Sequence, residues 1–273
     1  MSNEFASQSK SYLARSEIHT QWQNDYLNAD MDRFYDLAFA EILRRLKPQP
    51  QDKLLDAGCG YCYHTERLAR GGCAITSVDF SEAALAIASK TISRAGLDHQ
   101  VKLQQADLTR LVFENDFFDF VVSWGVIMHI PEMEKALAEL ARVLKPGGVL
   151  VLCENNLYSL DVQIRERVVG WIKKLVGRKM PHIEMTPRGS EAWFTEDGGG
   201  LMVRKTNMEF LTRFLQEKGL RLEARIAGQF SEAYTNVPVR LLKKPLFRLN
   251  EFYFQHMPWP ALAMGNILFF RKD

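Results

Sequence analysis

No stretch of the 273-residue chain approaches the roughly twenty consecutive apolar residues that a helix needs to cross a bilayer, and Met1 to Lys10 is polar, without a signal-peptide core. A cytoplasmic protein without a transmembrane segment is therefore expected. Neither sign of charge dominates: 35 Lys and Arg against 33 Asp and Glu leave +2, so composition gives no reason to expect nucleic acid as a partner. Cysteine is scarce, with Cys59, Cys62, Cys73 and Cys153 only. The Cys59-x-x-Cys62 spacing lacks the second ligand pair that a structural zinc site requires, so no metal is expected and reduced thiols are the better reading. A Gly-Lys-Ser/Thr phosphate cradle is missing, as are internal repeats and low-complexity tracts. What is abundant is apolar residue, 47% of the chain, enough to fill the core of one elaborated domain or of a domain with a cap.

The chain is organised around Lys53 to Cys62, an apolar run that breaks at Gly58 and Gly60 and becomes helical from Tyr63 to Arg70. That order is strand, tight loop, helix. Glycines let the loop turn sharply and approach a ligand, while the helix start offers free N–H groups. A second strand, Ala74 to Val78, ends in Asp79, about nineteen residues after the loop, where a carboxylate can accept from a ribose hydroxyl pair. A dinucleotide fingerprint wants glycine three residues after Gly60; the chain has Tyr63. The combination favours an adenosine ligand without a pyrophosphate.

Asp56-Ala-Gly-Cys-Gly60, Ser77-Val-Asp-Phe-Ser81, Gln105-Ala-Asp-Leu108, Phe118-Asp-Phe-Val-Val-Ser-Trp124 and Leu144-Lys-Pro-Gly-Gly-Val149 follow one another in order. Together they resemble the successive motifs of the class I S-adenosylmethionine-dependent methyltransferases, across residues 53 to 153. Cys62 stands where many members have a third glycine. The resemblance implies an α/β, Rossmann-like, seven-stranded and mostly parallel sheet with helices on both faces, and S-adenosyl-L-methionine as the cofactor. It also implies cofactor contacts from Asp56, Gly58, Cys59, Gly60, Asp79 and Phe80, then Asp107 and Leu108 at the adenine edge, and Ser123 and Trp124 near the methionine ammonium. For Asp107 the competing role is capping of the following turn. Tyr12 and Trp22, large side chains in a polar arm, are candidates for the methionine end, against an equal reading as anchors of the arm.

The chain in order supports that architecture. Met31 to Leu46 is an amphipathic helix with Phe34, Ala38, Ile42 and Leu46 on one face. Strands are expected at Val101 to Gln105, Phe118 to Ser123, Val149 to Cys153, Leu222 to Ile226 and Asn266 to Arg271, with helices between them, including Asn207 to Lys218. His129, one turn beyond the fourth strand, is a candidate general base because imidazole titrates near neutrality, against the commoner role of packing. Glu154 and Asn155, at the exit of the fifth strand, are acceptor-site candidates.

Segments are expected as a lid arm over 1–30, a cofactor-binding core over 31–154, cap insertions over 155–204 and 231–263, core again over 205–230, and a last strand over 264–273. The insertions thus follow strands 5 and 6. The first starts helix-like and turns irregular; the second is rich in proline and aromatics that suit either a pocket or a homodimer contact. Both are basic: residues 155–190 hold seven Lys and Arg against three Asp and Glu, and residues 231–250 hold four against one. An anionic or sugar-like small-molecule acceptor suits these caps. Peripheral adsorption of the 160–176 segment on an anionic membrane also fits, although a solvated basic face is commoner. The expected reaction is methyl transfer to an oxygen or nitrogen of a small metabolite. A nicotinamide-dependent oxidoreductase and a non-catalytic nucleoside-binding protein are the alternatives.

Overall fold

The structure, a computed structural model, describes residues 11–12, 15, 29–164, 182–194, 200–237 and 240–273. Its strands are β1 (Lys53–Ala57), β2 (Ala74–Asp79), β3 (Val101–Gln105), β4 (Phe118–Trp124), β5 (Leu144–Asn155), β6 (His182–Thr186), β7 (Gly189–Phe194), β8 (Leu201–Thr206), β9 (Leu220–Ala227) and β10 (Gly265–Lys272). The helices are α1 (Ala29–Leu46), α2 (Thr65–Ala69), α3 (Glu82–Arg94), α4 (Met133–Val143), α5 (Met208–Glu217) and α6 (Arg240–His256).

Seven strands form one sheet in the order β3-β2-β1-β4-β5-β10-β9. β1 to β5 are parallel, and β10 runs antiparallel to both β5 and β9. This is the Rossmann-like sheet expected from the motifs. Strand order reverses between β1 and β4, and in open α/β sheets the carboxyl ends at such a reversal form the ligand crevice.

Side-chain alternation divides the core between the two faces. Leu55 and Ala57 of β1, Leu150 and Leu152 of β5, and Leu268 and Phe270 of β10 pack with Leu137 and Leu140 of α4 and Leu211 and Leu215 of α5. Leu54, Val149, Val151, Ile267 and Phe269 face the other way, onto Phe34, Ala38, Phe39 and Ile42 of α1, Ala88 and Ile92 of α3, and Phe247 of α6. The apolar face read for α1 is therefore the buried one. Ser81 caps α3, its side chain accepting from the Ala84 N–H at 3.2 Å, and Asn207 caps α5.

Two segments differ from the sequence expectation. The stretch read as irregular contains an antiparallel sheet, β6-β7-β8, whose last strand runs to Thr206, two residues past the expected insertion boundary. The proline- and aromatic-rich stretch contains α6, with Pro245 inside it, lying on α1; Phe34 and Phe254 meet edge to face at 5.6 Å and Arg33 pairs with Glu251 at 3.1 Å. Phe247, Tyr253 and Tyr234 are buried there, whereas Phe252 and Trp259 are exposed. Pro146-Gly147-Gly148, expected as a turn before the fifth strand, lies within β5 as a bulge, the register passing from Phe118 opposite Leu144 to Phe120 opposite Val149.

Candidate functional site

A cavity of about 360 Å³ opens at the carboxyl ends of β1, β2, β4 and β5. The loop after β1 forms its floor. Gly58 and Cys59 both donate their N–H to the Val78 carbonyl at 2.9 Å, which ties the loop to the end of β2. Gly58 and Gly60 have φ of 82° and 53°, the left-handed region that favours glycine. Cys62, in place of the third glycine, also adopts positive φ, 63°. Its thiol and those of Cys59, Cys73 and Cys153 are free, and no cluster of metal-ligating side chains occurs among the described residues.

Asp79 reaches the cavity and holds the loop as well: Oδ2 accepts from the Gly60 N–H and Oδ1 from the Ser81 N–H, each at 2.9 Å. Asp107 lines the wall beside Ala106 and Leu108, and its Oδ1 accepts from the Thr109 N–H and hydroxyl at 2.9 and 2.7 Å. It thus caps the following turn and borders the cavity at once. Phe80, Cys59, Trp124, His129 and Asn155 also line the cavity.

Asp56, Ser123 and Glu154 do not line it. Asp56 is buried behind the loop, where it accepts from the Thr65 hydroxyl at 2.5 Å and the Ser77 hydroxyl at 3.3 Å. Burial raises its pKa to about 6. Ser123 donates to the Ala57 carbonyl at 3.0 Å, joining β4 to β1. Glu154 is fully buried; its Oε2 accepts from the Thr206 hydroxyl at 3.5 Å, and its Oε1 has no hydrogen-bond partner among the described residues. Desolvation pushes its pKa up to about 8, against the opposing charge of Arg204. Tyr12 has the Arg15 guanidinium 5.4 Å over its ring and is not a lining residue; Trp22 lies outside the described residues.

Residues that sequence reasoning missed complete the wall: Tyr35, Tyr63 and His64 on one side, Met128, Ile130, Leu201 and Val203 on another, and Gln229 and Glu232 near the mouth of β5. Phe34, which also lines the cavity, was legible only as part of the apolar face of α1, and Tyr35 was not singled out. The His64 ring stacks on Phe39 at 4.9 Å and lies 4.6 Å from Tyr35; burial lowers its pKa to about 3, keeping it neutral. Among the described residues, none of α6 lines the cavity.

His129 ends a 3₁₀ turn, Ile127–His129, and its Nδ1 lies 2.9 Å from the Met202 carbonyl of β8. A carbonyl only accepts, so the neutral ring carries its proton on Nδ1 and its lone pair on Nε2. Burial and the Arg204 charge lower its pKa below the ordinary value of 6.5.

The residues present fit an adenosyl ligand with an amino-acid tail. A carboxylate stands at the end of β2, a second polar edge at Asp107 and Leu108, and a side chain added at Gly60 would meet nothing within 4 Å, so the backbone there is open to a ligand.

Comparison with known proteins agrees with this geometry. Residues 55–152 match the family described as "Methyltransferase domain". A demethylmenaquinone methyltransferase of Clavibacter sepedonicus is 36% identical over 177 residues, 62% of this chain and 69% of that protein. The chain spans 52% and 57% of the length of two further demethylmenaquinone methyltransferases, of Mycobacterium marinum and Mycolicibacterium gilvum. Among solved structures, a putative sarcosine dimethylglycine methyltransferase from Galdieria sulphuraria superposes with a TM-score of 0.58 at 18% identity, covering 87% of this chain and 85% of that one. The [4+2]-cyclase SpnF gives 0.57 at 21% identity, covering 87% and 80%. These two show the fold alone, since they are named for different reactions. With the motif order, the cavity and the relatives in agreement, the chain belongs to the class I S-adenosylmethionine-dependent methyltransferase superfamily.

Proposed function

We propose that this protein transfers a methyl group from S-adenosyl-L-methionine to an oxygen or nitrogen atom of a small, largely apolar metabolite. The observation that carries this reading is the single cavity that joins the Gly58–Gly60 loop, Asp79 and Asp107 to His129 and the β8 side chains Leu201 and Val203. The bound cofactor supplies an already activated sulfonium methyl, so the protein's tasks are alignment, exclusion of water and acceptance of one proton.

Asp79 accepts from the ribose hydroxyls, Asp107 and the Leu108 N–H read the adenine edge, and Phe80 covers the ring. The Gly58–Cys59–Gly60 backbone and Trp124 hold the methionine end. Asp56 and Ser123 act from behind the wall, bracing the loop and the β1–β4 pair. His129 presents Nε2 as the base for the acceptor proton. Asn155 and the apolar side chains of Ile130, Leu201 and Val203 contact the acceptor.

Among the described residues no Lys or Arg lines the cavity, and the walls carry Tyr35, Tyr63, Met128, Ile130 and Val203. This lining favours an uncharged, ring-bearing acceptor over the anionic or sugar-like one suggested by local charge. The curated relatives, named for demethylmenaquinone, support a small-molecule acceptor.

The test has two arms. Titration calorimetry with S-adenosylhomocysteine and with NAD should give binding for the first and none for the second. Tritiated methyl donor and a panel of hydroxylated and amino-substituted ring compounds should then give labelled product. NAD binding, or cofactor binding without turnover on any ring compound, refutes the reading and favours an oxidoreductase or a nucleoside-binding protein respectively.

A further inference from the structure

A buried ionic network lies behind the cavity wall, and the roles assigned above leave it unused. Arg204 of β8 is fully buried, with its Nε 2.9 Å from Glu191 Oε1 on β7. The other end of its guanidinium donates to three backbone carbonyls: Nη1 to Ile127 at 3.1 Å, and Nη2 to Ile130 at 3.0 Å and Pro131 at 3.4 Å. These carbonyls bracket His129. Arg188 adds a bond to the Pro131 carbonyl at 3.2 Å and a second contact on Glu191 at 2.9 Å. Two residues before Arg204 on the same strand, the Met202 carbonyl takes the His129 Nδ1 proton.

We propose that Arg204, oriented by Glu191, is a positioning residue for methyl transfer: it fixes the 127–131 turn against β8 so that His129 keeps its proton on Nδ1 and its lone pair toward the cavity. The inference rests on the reading of His129 as the base. Geometry gives the reason for arginine. The fork delivers donors in fixed directions to a carboxylate on one side and to carbonyls on the other, which an ammonium point charge cannot span. The Nδ1–H form is the minor neutral tautomer of histidine in water, so the protein must impose it, and a turn free to shift by an ångström would release it. β8 then has a double task, because Leu201 and Val203 form acceptor wall while Met202 and Arg204 set the base.

The test uses the full chain with ¹⁵N-labelled histidine. Six histidines are present, and the His129 signals are those lost in His129→Gln. Two variants are compared. Arg204→Lys keeps the charge against Glu191 and removes the two-ended bridge. Arg204→Met with Glu191→Leu removes both charges of the fully buried pair and keeps apolar volume, while Arg188 retains the Pro131 carbonyl and Glu134 as partners, so that no charge is left buried and unpaired to unfold the protein. S-adenosylhomocysteine affinity and the thermal midpoint serve as controls for folding. The wild type is expected to show protonated Nδ1, and both variants an increased Nε2-protonated population. With the best acceptor of the panel above, kcat should fall about tenfold to a hundredfold, cofactor KM should hold, and either variant combined with His129→Gln should turn over no more slowly than His129→Gln alone. A folded double variant with the wild-type tautomer, or kcat losses that multiply with His129→Gln, overturns the proposal. Failure of the functional reading looks different: the wild type itself then fails to bind S-adenosylhomocysteine or to transfer methyl, while the tautomer signals still report on Arg204.

Discussion

Alanine at Gly58 and at Gly60 should have unequal consequences although both glycines belong to one motif. Each has positive φ, 82° and 53°, so alanine meets a left-handed backbone cost of about 1–2 kcal/mol at either place. Their surroundings differ. A Cβ at Gly58 would lie 2.5 and 2.6 Å from the two Val126 methyls and 3.0 Å from the Val126 Cβ, whereas one at Gly60 meets nothing within 4 Å. Forcing an added methyl into such contact costs about 1–3 kcal/mol more. At about 2–4 °C per kcal/mol for a domain near this size, the thermal midpoint of Gly58→Ala should fall below that of Gly60→Ala by roughly 2–12 °C. Val126 also lines the cavity, so its displacement should weaken S-adenosylhomocysteine binding in Gly58→Ala. Adding Val126→Ala removes the two closest contacts and should recover part of both losses. Calorimetric unfolding and binding titrations decide it. Equal midpoints for the two alanine variants, or no recovery with Val126→Ala, would refute the steric argument.

Further outcomes follow from individual groups. Asp79→Ala removes the acceptor for the Gly60 and Ser81 N–H groups as well as the proposed ribose partner; cofactor affinity should fall by at least tenfold, measured by calorimetry, with a loss of about 1–3 kcal/mol in stability. His129→Ala should lower turnover about a hundredfold or more with cofactor affinity intact; unchanged turnover removes it as the base. Burial holds the His129 pKa below its ordinary value, so the fall in turnover as the base protonates should lie on the acid side of the ordinary histidine range. Glu154 has its folded pKa raised from 4.5 to about 8, so the native state binds a proton that the unfolded chain has released. Stability from this group is complete below pH 4.5 and is lost as pH rises through about 8. At about 1.4 kcal/mol per unit the loss amounts to a few kcal/mol, and Glu154→Gln, which mimics the protonated acid, should flatten that part of a denaturant-versus-pH series.

The motif-bearing half of the fold was readable because its signals are local. An apolar run, a positive-φ turn and an acidic residue at the next strand end recur within about twenty residues, and each has one mechanical explanation. The small sheet was hidden for the opposite reason. In β6, Ile183 and Met185 are exposed and share the strand with Glu184, and in β8 the inward position Arg204 is a charge, so neither strand alternates apolar with polar in the usual sense. Helix α6 was hidden by Pro245 and by a density of aromatics that read as a pocket lining or a homodimer contact. Phe247 and Phe254 pack on the side of α1, a long-range partner that no local pattern announces.

Strand parity also decides which polar groups at the ends of the sheet reach the cavity. Along β4, Val121 faces the α4 and α5 side and Val122 the α1 side; Ser123 therefore shares the side of Val121, and Trp124 that of Val122. Along β5, Leu150 and Leu152 place Glu154 on the α4 and α5 side, while Val149 and Val151 place Cys153 and Asn155 on the other. Trp124, Cys153 and Asn155 line the cavity; Ser123 and Glu154 do not. Counting in twos from the buried neighbours separates these residues without coordinates, whereas proximity to a strand end alone does not. Asp56 shows where the count runs out: it has the parity of Leu54, on the α1 side, yet it lies short of the strand end, and Thr65 of α2 and Ser77 of β2 enclose its carboxylate. For such a residue the covering element decides, and here that element is the helix that the glycine loop itself launches.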